Sequence, residues 1–399
     1  MRIGVYLAGL NPTYVGGLTT YAVGLLNGLI SNHRGCQIVI FVNVDARRFL
    51  ADRIKIAPHA AFVSIDEPVR SVTERLTLLP GFDRFHVRMR NWRMRRVADQ
   101  IAAECDVVLF PLCFMATYRL RVPSIVSFHD LQHEAFPQFF SWRALRARRV
   151  LFDATFRHAS LIQASSVAMK NDALRVYRDY LVPERVTVIP EGVDYAAFSS
   201  PSAEDARGTY GLPGEFMFYP AQLWHHKNHL RLLEAIDLVW TKEATKIPLV
   251  LTGAEYEAAQ AIRGLIADRG LGDLVFVLGK VPFPALLSLY RQASYVVSAS
   301  LHESNCLPVL EAAASGSPII VSDIPANRES AQAFRMRLFD PFDVERIATV
   351  LSEAWNNRHA NQESVRANRE AARRHDWTVV AGMYLDQADR LIETRRLGQ

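Results

Sequence analysis

Four cysteines in 399 residues, Cys36, Cys105, Cys113 and Cys306, are scattered and form no Cys-x-x-Cys pair. That excludes a disulfide framework and a structural zinc site, and leaves reduced thiols as the expectation. No window approaches the roughly 18 uninterrupted apolar residues of a membrane-spanning helix. The first residues lack the apolar core and small-residue cleavage site of a signal peptide, so a cytoplasmic location is expected. No Asp-x-Asp pair offers to hold a divalent cation on a diphosphate. No Gly-x-Gly-x-x-Gly follows a candidate first strand, which removes the dinucleotide fingerprint of a dehydrogenase. Short repeats and low-complexity tracts are also missing.

What is present is an ordinary globular composition, half apolar and 22% charged, in a chain long enough for two hydrophobic cores. The net charge of +5 is modest but unevenly placed. Arg84, Arg88, Arg90, Arg93, Arg95 and Arg96 crowd one segment, and Arg143, Arg146, Arg148 and Arg149 another. These clusters read either as solvated helix faces or as contacts for an anionic partner, such as a lipid head group or lipid-linked diphosphate. No nucleic-acid motif accompanies them.

Apolar, β-branched runs at residues 2–7, 38–44, 107–110, 125–128 and 186–189 alternate with amphipathic stretches. A second series follows at 216–219, 249–252, 275–278, 295–298 and 319–322, and helical spacing then carries the chain onward. Such alternation predicts parallel sheets covered by helices. The pattern breaks across 199–214, where Ser, Pro and Gly collect. The expected organisation is therefore residues 1–198 as a first α/β domain, 199–214 as linker, 215–374 as a second, and 375–399 as a helix returning to the first.

The most informative segment is Leu301-His-Glu-Ser-Asn-Cys-Leu-Pro-Val-Leu-Glu311, between two strands of the second series. Pro308 suits a first helical turn, where its missing N–H has no partner to lose. N–H groups at such a start form an anion site. Glu311 lies inside the helix, where a carboxylate can accept two hydroxyl hydrogen bonds, as a ribose diol requires. Glu303 in the preceding loop can reach a second polyol. A second segment, Tyr219-Pro-Ala-Gln-Leu-Trp-His-His-Lys-Asn-His229, holds the position of a phosphate loop. His225, His226 and His229 crowd it without supplying a convincing metal ligand set. In the first half, Val126-Ser-Phe-His-Asp-Leu-Gln-His-Glu134 leaves a strand for a loop, and Gly16-Gly17 stands between the first strand and first helix, where small residues permit close approach of a diphosphate.

These stretches resemble the E-x7-E segment and His-Asp segment of retaining glycosyltransferases of family 4. That family has the GT-B fold, an α/β architecture of two Rossmann-like domains whose parallel sheets face one another across a cleft. The resemblance implies that Glu311 holds the nucleotide ribose and Glu303 contacts the donor sugar. It places backbone N–H groups of Asn305, Cys306 and Leu307 near the diphosphate, with Lys227 neutralising the leaving group. His129 is implied to contact the sugar near the reacting centre, with Asp130 supporting the loop and His133 and Glu134 facing the acceptor. Gly16, Gly17 and Gln222 join the donor set, although Gln222 stands where the family usually has Arg. Ser304, Asn305 and Cys306 replace the usual Gly, Phe and Gly. Glu191-Gly-Val-Asp194 matches a segment that is more often Asn-Gly-Val-Asp, and Arg374-His-Asp-Trp377 resembles the segment before the last helix.

The expectation is a hexosyltransferase moving a mannosyl unit from GDP-mannose to a glycan or lipid-linked acceptor, as in bacterial surface-polysaccharide assembly. Neither cofactor nor metal is expected, and peripheral contact with an anionic membrane through the arginine clusters would place it at the inner face. A GT-B sugar-nucleotide epimerase and a non-catalytic clamshell binding protein are the alternatives.

Overall fold

A computed structural model describes residues 1–11, 16–67, 81, 83–201 and 204–397; of Asp83 and Arg84 only the backbone is described. The chain forms two compact units. Residues 1–192 and 377–399 make the first, and residues 193–376 the second.

The first unit is built on seven strands: β1 (Arg2–Tyr6), β2 (Gln37–Val42), β3 (Ala60–Ser64), β4 (Val107–Phe110), β5 (Ser124–Phe128), β6 (Leu161–Ala164) and β7 (Val186–Val188). They lie side by side in the order β3-β2-β1-β4-β5-β6-β7, and every pairing is parallel. Successive residues of a strand face opposite sides, so Ile3 and Val5 enter one apolar layer and Tyr6 the other. The first layer includes Trp377, Val380, Tyr384 and Leu385 from the last helix, Trp377–Leu397. Trp377 is seated by three glycines. A Cβ at Gly24, Gly28 or Gly192 would come within 2.2, 2.3 or 2.5 Å of it, so only glycine leaves room for the indole and its backbone.

The second unit repeats the plan with β8 (Met217–Pro220), β9 (Leu249–Thr252), β10 (Val275–Gly279), β11 (Tyr295–Ser298), β12 (Ile319–Ser322) and β13 (Arg337–Phe339). Their order is β10-β9-β8-β11-β12-β13, again all parallel. In both sheets strand order reverses beside the first strand, between β1 and β4 and between β8 and β11. Loops at the carboxyl ends of those strands are where open α/β sheets place ligands.

The expected linker 199–214 is not one. Val193, Phe198, Ala206 and Leu212 are buried in the core of the second unit, and Tyr195–Ser199 and Ala206–Thr209 are short helices. The chain instead leaves the first unit after Gly192 and returns at Trp377. Ser and Pro broke the sequence pattern, but apolar residues between them still anchor the segment. Strands β3, β6 and β13 also escape the sequence reading. β13 has three residues, and β6 carries Gln163 in a run too short to alternate.

Candidate donor site

The second unit brings its chemistry-bearing residues to the strand reversal. After β8 the chain passes Gln222 and makes one 3-10 turn, His225–Lys227. It then enters the helix His229–Glu243 through Asn228, which adopts φ 59° and is pinned by donating its side-chain amide to the Pro341 carbonyl at 2.8 Å. After β11 the chain enters the helix Leu307–Ser315, with Pro308 in its first turn and Gly316 ending it at φ 83°. Its N-cap residue, Cys306, makes no side-chain capping bond. The thiol is fully buried and points to the Ser298 hydroxyl at 3.6 Å, and burial pushes it up to about 12.

The two loops are stitched together. Leu301 N–H donates to the His226 carbonyl at 2.8 Å, and the Tyr219 hydroxyl donates to the Lys227 carbonyl at 2.7 Å. Lys227 Nζ lies 2.5 Å from Glu303 Oε1, with 20% and 13% of the two side chains exposed. Burial pulls the Lys227 ammonium down, but the charge of Glu303 and its hydrogen bond, with Tyr219, outweigh it and leave the group above its ordinary value. One cation and one carboxylate, from the two strands that flank the reversal, thus form a single pair. Glu311, one turn into the helix, accepts a hydrogen bond from the fully buried Tyr290 hydroxyl. Gln222 accepts one from Trp224 Nε1 at 2.9 Å, and that indole stacks on Tyr256 at 3.9 Å. Neither Tyr290 nor Trp224 was singled out by sequence. Among the described residues no group of His, Cys, Asp and Glu could hold a metal. His229 is buried against the Tyr219 ring and is driven down to about 3 by burial and by Lys227.

In the first unit, His129 follows β5. Its Nε2 lies 3.0 Å from the Pro111 carbonyl oxygen and its Nδ1 3.6 Å from Glu191 Oε1. Asp130 accepts from the Gln132 N–H at 3.1 Å and from Arg148 at 2.6 Å, so it braces the loop. Gly17 opens the helix Gly17–Ser31, and the Gly16 carbonyl accepts from Thr19 and Thr20.

One expectation fails here. His133 does not face an acceptor. Its ring is wholly buried, stacked on Phe152 at 5.0 Å, and held down to about 4 by burial and by Arg148. Glu134 accepts from Nε and one terminal nitrogen of Arg149 at 2.7 and 2.9 Å, which outweighs burial and keeps its carboxyl below the ordinary range. Arg148 and Arg149 are accordingly partners of Asp130 and Glu134 rather than an open anion surface. Arg88, Arg95, Arg96 and Arg143 remain exposed, beside exposed Phe85, Trp92 and Trp142.

Residues 15–197 match the Glycosyltransferase Family 4 model and residues 205–375 the Glycosyl transferases group 1 model. The chain belongs to the family 4, group 1 glycosyltransferases. This glycosyltransferase is 26% identical over 297 residues to a GDP-mannose:cellobiosyl-diphosphopolyprenol alpha-mannosyltransferase of Xanthomonas campestris, covering 69% of each chain. It is 26% identical over 248 residues to the serotype-specific mannosyltransferase WbdA of Escherichia coli, spanning 60% of this chain but only 30% of that one. HepE of Anabaena, solved with UDP and glucose, superimposes over 98% of this chain and 100% of its own with a TM-score of 0.72 at 18% identity. That likeness establishes the fold, GT-B, and the family establishes a hexosyltransferase.

Proposed function

We propose that this glycosyltransferase moves a mannosyl unit from GDP-mannose, with retained anomeric configuration, to a hydroxyl of a glycan or lipid-linked glycan in cell-surface polysaccharide synthesis. The observation that carries the donor assignment is the Lys227–Glu303 pair at the β8/β11 reversal, with Glu311 in the helix that follows Glu303. Lys227 takes the diphosphate, the N–H groups of Asn305, Cys306 and Leu307 leading into the helix assist it, Glu311 takes the ribose diol, and Glu303 takes the sugar. Gln222, Gly16 and Gly17 complete the donor contacts, and His129 contacts the transferred sugar. GDP-mannose is favoured by the named activity of the Xanthomonas relative.

In the transfer, the acceptor oxygen forms a bond to the anomeric carbon as the bond from that carbon to the diphosphate oxygen breaks. The proton of the acceptor hydroxyl passes to the departing diphosphate. Such a reaction asks the protein for positioning, positive potential at the leaving group and exclusion of water. No metal is required. Among the described residues no helix is long and apolar enough to cross a membrane. Exposed Arg88, Arg95, Arg96 and Arg143, with Trp92 and Trp142, suit peripheral contact with an anionic inner-membrane face.

The test is product analysis with GDP-mannose and other nucleotide sugars, with and without a diphospholipid-linked oligosaccharide and with a chelator. Acceptor-dependent mannoside formation with an α-anomeric NMR signal, undiminished by chelation, is expected. Free sugar release irrespective of acceptor would replace transfer by epimerase chemistry, and tight binding without turnover would leave a binding protein.

A further inference from the structure

The second unit carries an arginine-rich groove that shares no residue with the donor contacts above. It lies between the helix Gln362–Arg373, the short helix Tyr195–Ser199 and Arg335, and has a volume of about 810 Å3. That is the size of a small-molecule site. Its charge comes from Arg335, Arg366, Arg369 and Arg373 against Glu363 and Glu370, four guanidiniums to two carboxylates, so two positive charges are left over. Both carboxylates already have an arginine. Glu363 lies 2.5 Å from Arg335, whose hydrogen bond keeps its carboxyl below the ordinary range with a smaller pull from Arg366. Glu370 lies 3.6 Å from Arg373, and Arg373 Nε also donates to the Tyr195 hydroxyl at 3.1 Å. Among the described residues neither Arg366 nor Arg369 has a carboxylate at ion-pair distance.

Arg369 is the centre of this arrangement. Arg366 stands three residues before it and Arg373 four residues after it on one helix, spacings at which like charges repel. Arg291, from the helix Phe283–Gln292, is a third cation close enough to act on it. Arg291 Nη2 reaches the Ala197 and Phe198 carbonyls only at 3.3 and 3.4 Å, and its Nε and Nη1 are buried with no partner among the described residues. Burial, and then the charge of Arg369, lowers the Arg291 guanidinium from its ordinary value. Arg369 is held in place as well: its Nε turns to the Ala314 carbonyl at 3.5 Å, and a Cβ on Gly316 would come within 3.0 Å of that nitrogen. The fold therefore gathers cations around a fixed guanidinium and supplies it no carboxylate. An oxyanion in the groove relieves that repulsion, and the planar forks of neighbouring guanidiniums match the oxygens of a phosphate.

We propose that this groove is a second phosphate-binding site, in which Arg366 and Arg369 take the phosphate group of a soluble phosphate ester or of a lipid head group. It stands apart from the donor reading and does not depend on it. The test titrates inorganic pyrophosphate calorimetrically into the full chain, into Lys227→Ala, which removes the cation of the donor loops, and into the double variant Arg366→Gln/Arg369→Gln. Thermal unfolding confirms that each protein is folded. Saturable binding that persists in Lys227→Ala and weakens at least about tenfold in the double variant is the expected result. Arg366→Gln alone, at an exposed position, should weaken it several-fold with the unfolding temperature unmoved. No saturable binding in folded Lys227→Ala, or equal affinity in the arginine variants, would overturn the proposal. Flotation with phosphatidylglycerol vesicles, against phosphatidylcholine vesicles, separates the two sources. Capture lost in the double variant together with pyrophosphate binding assigns a lipid head group, and capture unchanged while pyrophosphate binding is lost assigns a soluble phosphate ester.

Discussion

The loops after β8 and β11 in the second unit and the loop after β5 in the first look alike as sequence: each leaves a strand carrying His, Asp, Glu or Lys. Their fates differ. In the second unit Lys227, Glu303 and Glu311 stay partly exposed, with Lys227 paired to Glu303 and the Tyr290 hydroxyl donating to Glu311. In the first unit His133 is absorbed into an aromatic layer and Glu134 into an arginine fork. A polar residue past a strand end is open to a ligand only where the surrounding core leaves part of it exposed. Burial separates His133 from Lys227, Glu303 and Glu311, and distance along the chain from the strand does not.

Four experiments would break or sharpen that contrast. The largest expected effect lies in the first unit's scaffold. Trp377→Ala removes the indole seated by Gly24, Gly28 and Gly192 and should cost about 3–5 kcal/mol of stability by denaturant titration. A loss below about 1 kcal/mol would show that the last helix is not fixed by this residue.

Next comes His133. Its folded value of about 4 lies below the 6.5 of an unfolded histidine, so the unfolded chain takes up the proton first as pH falls. Its stabilising contribution is complete above about pH 6.5 and is lost progressively down to about pH 4, on the order of 3 kcal/mol in all. His133→Phe should flatten that part of the stability-versus-pH curve while leaving acceptor KM unchanged. A raised acceptor KM in a stable variant would return His133 to the acceptor site.

In the second unit, Lys227→Ala should slow transfer about 10- to 150-fold, the loss of one charge-assisted bond of about 1.5–3 kcal/mol, with Glu303 deprived of its cation. Equal rates would make the pair structural, like Arg149–Glu134. The smallest effect is expected of Tyr290→Phe, which removes one hydroxyl from Glu311 and should weaken donor binding only several-fold, about 1 kcal/mol. A hundredfold loss would show that Tyr290 itself touches the nucleotide.

The parallel sheets and the strand-to-helix transition across residues 301–311 were legible because their signals are local. Strand and helix alternate within a few residues of one another, and Glu303, Pro308 and Glu311 sit in one short loop-to-helix segment. The role of His133 was not legible, because Phe152 and Arg148, which claim its surroundings, come from a later helix. The Glu191–His129 pair and the Tyr21–Tyr384 contact join residues far apart in sequence, where no spacing rule operates. Residues 199–214 misled for the opposite reason: their turn-forming composition is real, but Phe198, Ala206 and Leu212 anchor them to the second core. Within the arginine clusters Arg148 and Arg149 are paired with carboxylates, an arrangement that spacing alone does not show, while Arg88, Arg95, Arg96 and Arg143 are exposed.

The central claim is that the second unit grips the donor at the β8/β11 reversal with Glu311 on the ribose. Calorimetric titration of GDP-mannose into the unsubstituted protein and into folded Glu311→Ala tests it most directly. Saturable binding by the first and no measurable heat from the second over the same range is the predicted result; equal affinity in the two proteins would contradict it.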